Sequence, residues 1–124
     1  MAKIPFNFPR RDGTLGQGIA VKMFHTAGQD FIVHKGFYQD GTQNFRYEGY
    51  EVSHYRTGLN VPIRIKTGHS PTSYYGLACI EAHEIYSDPR TIAEAVTETK
   101  KLLRNRNLQK RMRENLALAK VVNL

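Results

Sequence analysis

The sequence predicts an α+β domain, with a four-stranded, mainly antiparallel sheet over about 18–66 followed by C-terminal helices over about 89–104 and 107–121. Three observations predict it. Apolar and polar residues alternate between turn signals through the first half, apolar residues recur at helical spacing near the end, and strands precede helices instead of alternating with them, which is α+β order. At 124 residues, one domain can bury about two-thirds of its unfolded surface without staples.

Residues 1–17 read as an extended arm on a domain spanning 18–124. Pro5, Pro9, Gly13 and Gly16 interrupt any period, while Ile4, Phe6 and Phe8 alternate and are expected to dock. The first strand carries Ile19, Val21, Met23 and His25 in one phase, with Lys22 and Phe24 in the other. The turn AGQD and the run DFIVHKGF make it the first arm of a hairpin. After the turn QDGTQN, the segment NFRYEGYEVSHY places Phe45 and Tyr47 in one phase and Tyr50 and Val52 in the opposite one. A β-bulge at Gly49 would return both pairs to one face. RTGLN turns the chain into VPIRIK, where Val61, Ile63 and Ile65 point inward and Pro62 demands a sheet edge. Residues 72–86 read as helix or strand. Ser70 and Pro71 suit a helix start, whereas Tyr74, Tyr75, Cys79, Ile80, Ile85 and Tyr86 suit a strand.

The helices are better marked. Ser87 or Asp88 can cap a helix with Pro89 in its first turn. At about 100° per residue, Ile92, Ala95, Val96, Thr99, Leu102 and Leu103 fall within roughly one third of the circumference. Leu108, Met112, Leu116 and Ala119 form a second stripe, about 120–140° out of line with Leu102 and Leu103 if the helix ran straight on. A break at Asn105–Asn107, with Asn107 as the new N-cap, realigns them into a helical hairpin or an angled pair. The couple TIAEAVTETKKLL and LQKRMRENLALAK resembles the helix pair near the C-terminus of many two-domain Rossmann-type glycosyltransferases. Without nucleotide-binding domains, that likeness implies no activity.

Charge is distributed unevenly along the chain. The stretch KKLLRNRNLQKRMR, residues 100–113, holds seven Lys or Arg and no acid. From residue 100 onward there are eight basic residues against Glu114, which equals the net charge of +7, so residues 1–99 are formally neutral. Such a tail suits phosphates, because Lys and Arg displace condensed counterions there. The expectation is a small non-enzymatic protein that binds DNA or RNA through Lys100, Lys101, Arg104, Arg106, Lys110, Arg111 and Arg113. A secondary surface is expected at Arg46, Arg64 and Lys66, where cations interleave with Phe45 and Tyr47 as in a base-stacking platform. The alternative is a protein-interaction module or inhibitor that docks the same helices on an acidic protein partner.

Other classes are disfavoured. Cys79 is the single cysteine, so no intramolecular disulfide forms, and a reducing cytoplasm suits the chain. No apolar run is long enough to span a bilayer, and MAKIPFNFPRRDGTLGQG lacks the apolar core of a signal peptide, so no membrane partner is expected. GTLGQG has neither a P-loop lysine nor a following helix. The histidines His25, His34, His54, His69 and His83 match no metal-site spacing, so neither metal nor cofactor is expected. Cys79 and His83 share a face and could pair as thiolate and imidazole. A metal-free ribonuclease using His54 and Arg56 beside Tyr55 ranks behind both binding readings. Self-association is left open.

Overall fold

The computed structural model describes residues 3–44, 49–63 and 89–124. Its strands are β1 (Ile4–Pro9), β2 (Leu15–Thr26), β3 (Gln29–His34), β4 (Glu51–His54) and β5 (Asn60–Val61). They form one antiparallel sheet in chain order. Two helices follow, α1 (Pro89–Leu103) and α2 (Arg106–Leu118). The fold is thus α+β, with five strands where four were expected. The element expected at 72–86, Phe45 and Tyr47 before Gly49, and the end of VPIRIK lie outside the described residues.

The additional strand comes from the segment read as an arm. Ile4–Pro9 pairs with Leu15–Ala20, so the sheet starts well before residue 18. The glycines of GTLGQG explain the pairing: Phe8 lies opposite Gly16 and Phe6 opposite Gly18. A side chain at Gly16 would strike the Phe8 ring, and one at Gly18 would come within 2.7 Å of Phe37 and 2.9 Å of Phe6. These glycines let the phenyl rings lie flat on β2, where they bury their faces instead of waving in water.

The β2–β3 hairpin closes through Ala27 (φ 51) and Gly28 (φ 74), two consecutive positive-φ residues between the paired Thr26 and Gln29. That is the primed geometry that matches strand twist. The register shifts between Ala20 and Lys22, which makes Val21 an extra residue. Strict alternation therefore fails within β2. Val21 and Phe24 pack on the helix side, while Met23 and His25 are exposed. β5 is an edge strand that ends just before Pro62, where the missing N–H does no harm.

The two faces of the sheet carry separate cores. One holds Val21, Phe31, Val33, Tyr50, Val52 and Val61 against Ile92, Ala95 and Leu103 of α1, with Leu102 and Met112 at its margin. The other gathers Phe6, Ala20 and Ile32 with Ile4, Phe8, Phe37 and Tyr55. The expected α1 stripe is present: Ile92, Ala95, Thr99 and Leu103 are buried, and Thr99 hides its hydroxyl by donating to the Ala95 carbonyl at 2.7 Å. The break between helices is also present, but Asn105 is the N-cap rather than Asn107. Its side chain accepts from the Asn107 and Leu108 amides at 3.1 and 3.3 Å. Because α1 stops at Leu103, the first free amides of α2 fall two and three residues after Asn105, within reach of its short side chain.

After α2 the chain runs back across the sheet to its first strand. Asn123, 6% exposed, accepts from the Asn7 amide at 2.7 Å and donates to the carbonyls of Asn7 at 2.8 Å and Tyr55 at 2.6 Å. The amides of Val122 and Asn123 donate to the Arg56 carbonyl. Asn7 turns its peptide away from β2, so the Asn123 amide satisfies an edge that another chain could otherwise pair with. The turn after β4 reaches the same place, since a Cβ on Gly58 (φ 68) would sit 2.6 Å from the Asn7 carbonyl oxygen. The sheet is therefore curled, bringing the β4–β5 turn against β1. Asn123→Ala leaves these buried groups without partners and is expected to destabilise the fold by about 1–3 kcal/mol. The check is a lower urea midpoint at unchanged slope.

Candidate functional site

All seven cations expected to bind an anion are exposed. On α2 the spacing of Arg106, Lys110 and Arg113 (i, i+4, i+7) confines them to about 60° of the circumference, centred about 130° from the half-buried Leu108, Met112 and Leu116. They span about 10 Å of helix axis, roughly three phosphates along one strand of a duplex. On α1, Lys100 and Arg104 point about 40° apart on the outward side. Lys101 is tethered by Glu98 at 3.4 Å, and among the described residues it is the one member of the seven with an acidic partner within 4 Å. Arg104 and Arg106 flank the capping Asn105 at the joint. The apolar stripes turn the leucines and Met112 inward, so what faces water is a bent basic ridge. The secondary surface at Arg46, Arg64 and Lys66 lies outside the described residues, as do Cys79 and His83.

Beside the ridge, a cleft of about 200 Å³ separates α2 from β5, lined by Val61, Pro62, Arg111, Met112 and Asn115, with His54 at its side. His54, the candidate base of the ribonuclease reading, ends β4. It is buried, with Nδ1 2.8 Å from Thr57 Oγ1, Nε2 2.8 Å from Gln29 Oε1, and the Phe31 ring against its edge. The Gln29 oxygen can only accept, so Nε2 carries the proton and Nδ1 takes the Thr57 hydroxyl. Both nitrogens are satisfied in the neutral ring. Burial first, then the nearby Arg56, holds its pKa below the usual histidine range.

The opposite face carries a polar group that sequence inspection passes over. His34, 1% exposed, places Nδ1 2.7 Å from the Lys35 carbonyl and Nε2 2.7 Å from Ser53 Oγ. The rings of Phe6 and Phe37 pack on it at 5.0 and 5.5 Å. Ser53 and His34 open on a cavity of about 840 Å³, bounded by Phe6, Phe8, Phe37 and Asn60 and rimmed by two D-G-T turns. In these turns Asp12 accepts from the amide and hydroxyl of Thr14, and Asp40 does the same with Thr42, with Arg10 beside both. The Thr bonds, more than Arg10, hold both carboxyls below the usual range. The repeated DGT is the one signal of this arrangement in the sequence. The partnership of His34 with Ser53 depends on register and leaves no local trace.

Among the described residues no group of three His, Cys, Asp or Glu could hold a metal ion, and no helix is long and apolar enough to cross a membrane. No family model, curated protein or solved structure matches the chain.

Burial of His34 leaves a thermodynamic signature. Desolvation lowers its pKa from 6.5 to about 4, against a smaller opposing effect of the Lys35 carbonyl bond. Between these values the unfolded chain gains a proton that the folded one refuses, so stability falls as pH falls and levels off below the folded value. At about 1.4 kcal/mol per pH unit, the loss from His34 is about 3 kcal/mol between pH 7 and pH 4. His54 acts in the same direction. Urea unfolding across this range measures the slope, which should be shallower by that amount in His34→Gln.

Proposed function

We propose that the protein binds nucleic acid, DNA or RNA, through the basic ridge of α1 and α2, and does so in the cytoplasm. The observation that carries this reading is the single outward stripe of Arg106, Lys110 and Arg113, continued by Arg104 and Lys100 across the joint. Amphipathic spacing alone turns such cations outward, but a stretch of seven cations over residues 100–113 with no acid among them suits a run of phosphates. The ridge offers a line of charge rather than a set of side chains matched to one base, so binding is expected to follow backbone charge and be nearly independent of sequence.

The second reading is an acidic protein partner. It is favoured by Leu118, 88% exposed, and by the exposed Val121 just beyond the ridge, since apolar residues beside cations suit a protein surface better than a phosphate backbone. The two readings differ in their salt response and in the probe that binds.

Anisotropy titrations with labelled single- and double-stranded DNA and RNA separate them. If all seven cations engage a duplex, affinity is expected to fall by about 10³–10⁴ between 50 and 200 mM salt. Replacing Arg106, Lys110 and Arg113 together with Gln should flatten the log–log salt slope by about three, equally for every sequence. Absence of binding to any nucleic acid at 50 mM salt would discard the reading in favour of the protein partner.

A further inference from the structure

The cavity on the face away from α1 holds more than a buried hydrogen bond. Ile32 is paired with Ser53, and Ser53 with Asn60, so His34, Ser53 and Asn60 come from three neighbouring strands on one face of the sheet. The proton positions follow from the partners. The Lys35 carbonyl can only accept, so Nδ1 of His34 must donate to it. Nε2 then carries the lone pair, and the hydroxyl 2.7 Å away must be donating. Ser53 Oγ donates its hydrogen bond to the imidazole and keeps both lone pairs. Hydroxyl to imidazole to a fixed acceptor is the nucleophile, base and orienter sequence of acyl-transfer sites, here with a backbone carbonyl in the third place.

Two further features suit that chemistry. Asn60 is the cross-strand neighbour of Ser53 and lines the same cavity. Its side-chain nitrogen donates one hydrogen to Glu51 Oε2 at 3.2 Å, leaving the second for a ligand. Phe6, Phe8 and Phe37 supply an apolar wall, with Phe8 and Phe37 packed at 4.3 Å. A space of about 840 Å³ falls within the range of small-molecule sites.

We propose that this cavity is an acyl-transfer site that hydrolyses small carboxylic esters with an aryl or alkyl acyl group, with Ser53 as nucleophile, His34 as its base and Asn60 as the oxyanion donor. Ser53 Oγ bonds to the ester carbonyl carbon as its proton passes to His34 Nε2. The carbonyl oxygen takes the electron pair and is held by the Asn60 amide. Collapse breaks the bond to the alcohol, which leaves with the proton from His34. Water then attacks the acyl-Ser53 ester, losing its proton to His34, and that proton returns to Ser53 Oγ as the acid departs. Ester and water are consumed; acid and alcohol are released. The depressed pKa of His34 keeps the ring unprotonated throughout the neutral range, with the Nε2 lone pair turned to the Ser53 hydroxyl. The Lys35 carbonyl stabilises the imidazolium formed in each step.

This activity goes beyond the nucleic-acid reading, does not depend on it, and departs from the expectation of a protein that only binds. It is tested on the full-length wild-type chain with a fluorophosphonate, which loses fluoride as phosphorus bonds to an activated serine. Mass spectrometry is expected to find one adduct, on the Ser53 peptide. Failure of that peptide to label while a serine-protease control labels fully would overturn the proposal, whatever any variant does. Hydrolysis of p-nitrophenyl butyrate supplies the second readout. Ser53→Ala should fall to the buffer rate, and Asn60→Ala should lose about 10²–10³-fold. Replacing Arg106, Lys110 and Arg113 with Gln should change nothing. Wild-type turnover in folded Ser53→Ala would equally sink the assignment.

Discussion

The side-chain amide of Asn123 holds three parts of the fold in one place. It bonds both peptide groups of Asn7 on the first strand and the Tyr55 carbonyl at the turn after β4, and its own backbone reaches Arg56. An asparagine amide has the same donor and acceptor pair as a peptide, so it can end a sheet edge as a further strand would, without offering the next edge. Around that tie the sheet curls, and the segment leaving α2 is brought back over the strands. The position of α2 relative to the sheet therefore rests on two anchors, Met112 at the margin of the core and Asn123 beyond the helix end. No residue of α2 itself is buried.

Curling also creates the two unlike surfaces. On the helix side, apolar residues of β2, β3 and β4 meet α1 and leave the charges of both helices outside. On the other side, phenyl rings lie over glycines and a neutral hydroxyl–imidazole–carbonyl chain lies among them at the wall of the cavity. The desolvation that lowers the His34 pKa also strengthens its bonds to Ser53 and Lys35, since a buried hydrogen bond has no water to compete with it. The basic ridge follows the opposite logic. Its cations stay in water with few acidic neighbours, where they do little for folding and remain available to a partner.

Much of the helical half was legible because its determinants are local. Ile92, Ala95, Thr99 and Leu103 share a stripe by spacing alone, and the mismatch between Leu103 and Leu108 required a break. The cap went to Asn105 instead of Asn107 because the exact stopping point of α1 depends on how Leu103 seats in the core. In β2 the alternation misled: with Val21 as an extra residue, Met23 faces water and Phe24 the core. Ile4–Pro9 read as an arm because prolines and glycines signal loops, yet those glycines are there to admit phenyl rings from the partner strand.

By itself, then, the sequence determined the α+β order, the existence and facing of both helices, and the confinement of excess charge to residues after 99, since each depends on neighbours a few positions apart. The tertiary structure decided that β1 belongs to the sheet, where the bulge falls, that Asn123 meets Asn7, and that His34 meets Ser53. The last two join residues 116 and 19 positions apart. Register and burial select them, and neither is a property of any short stretch of chain.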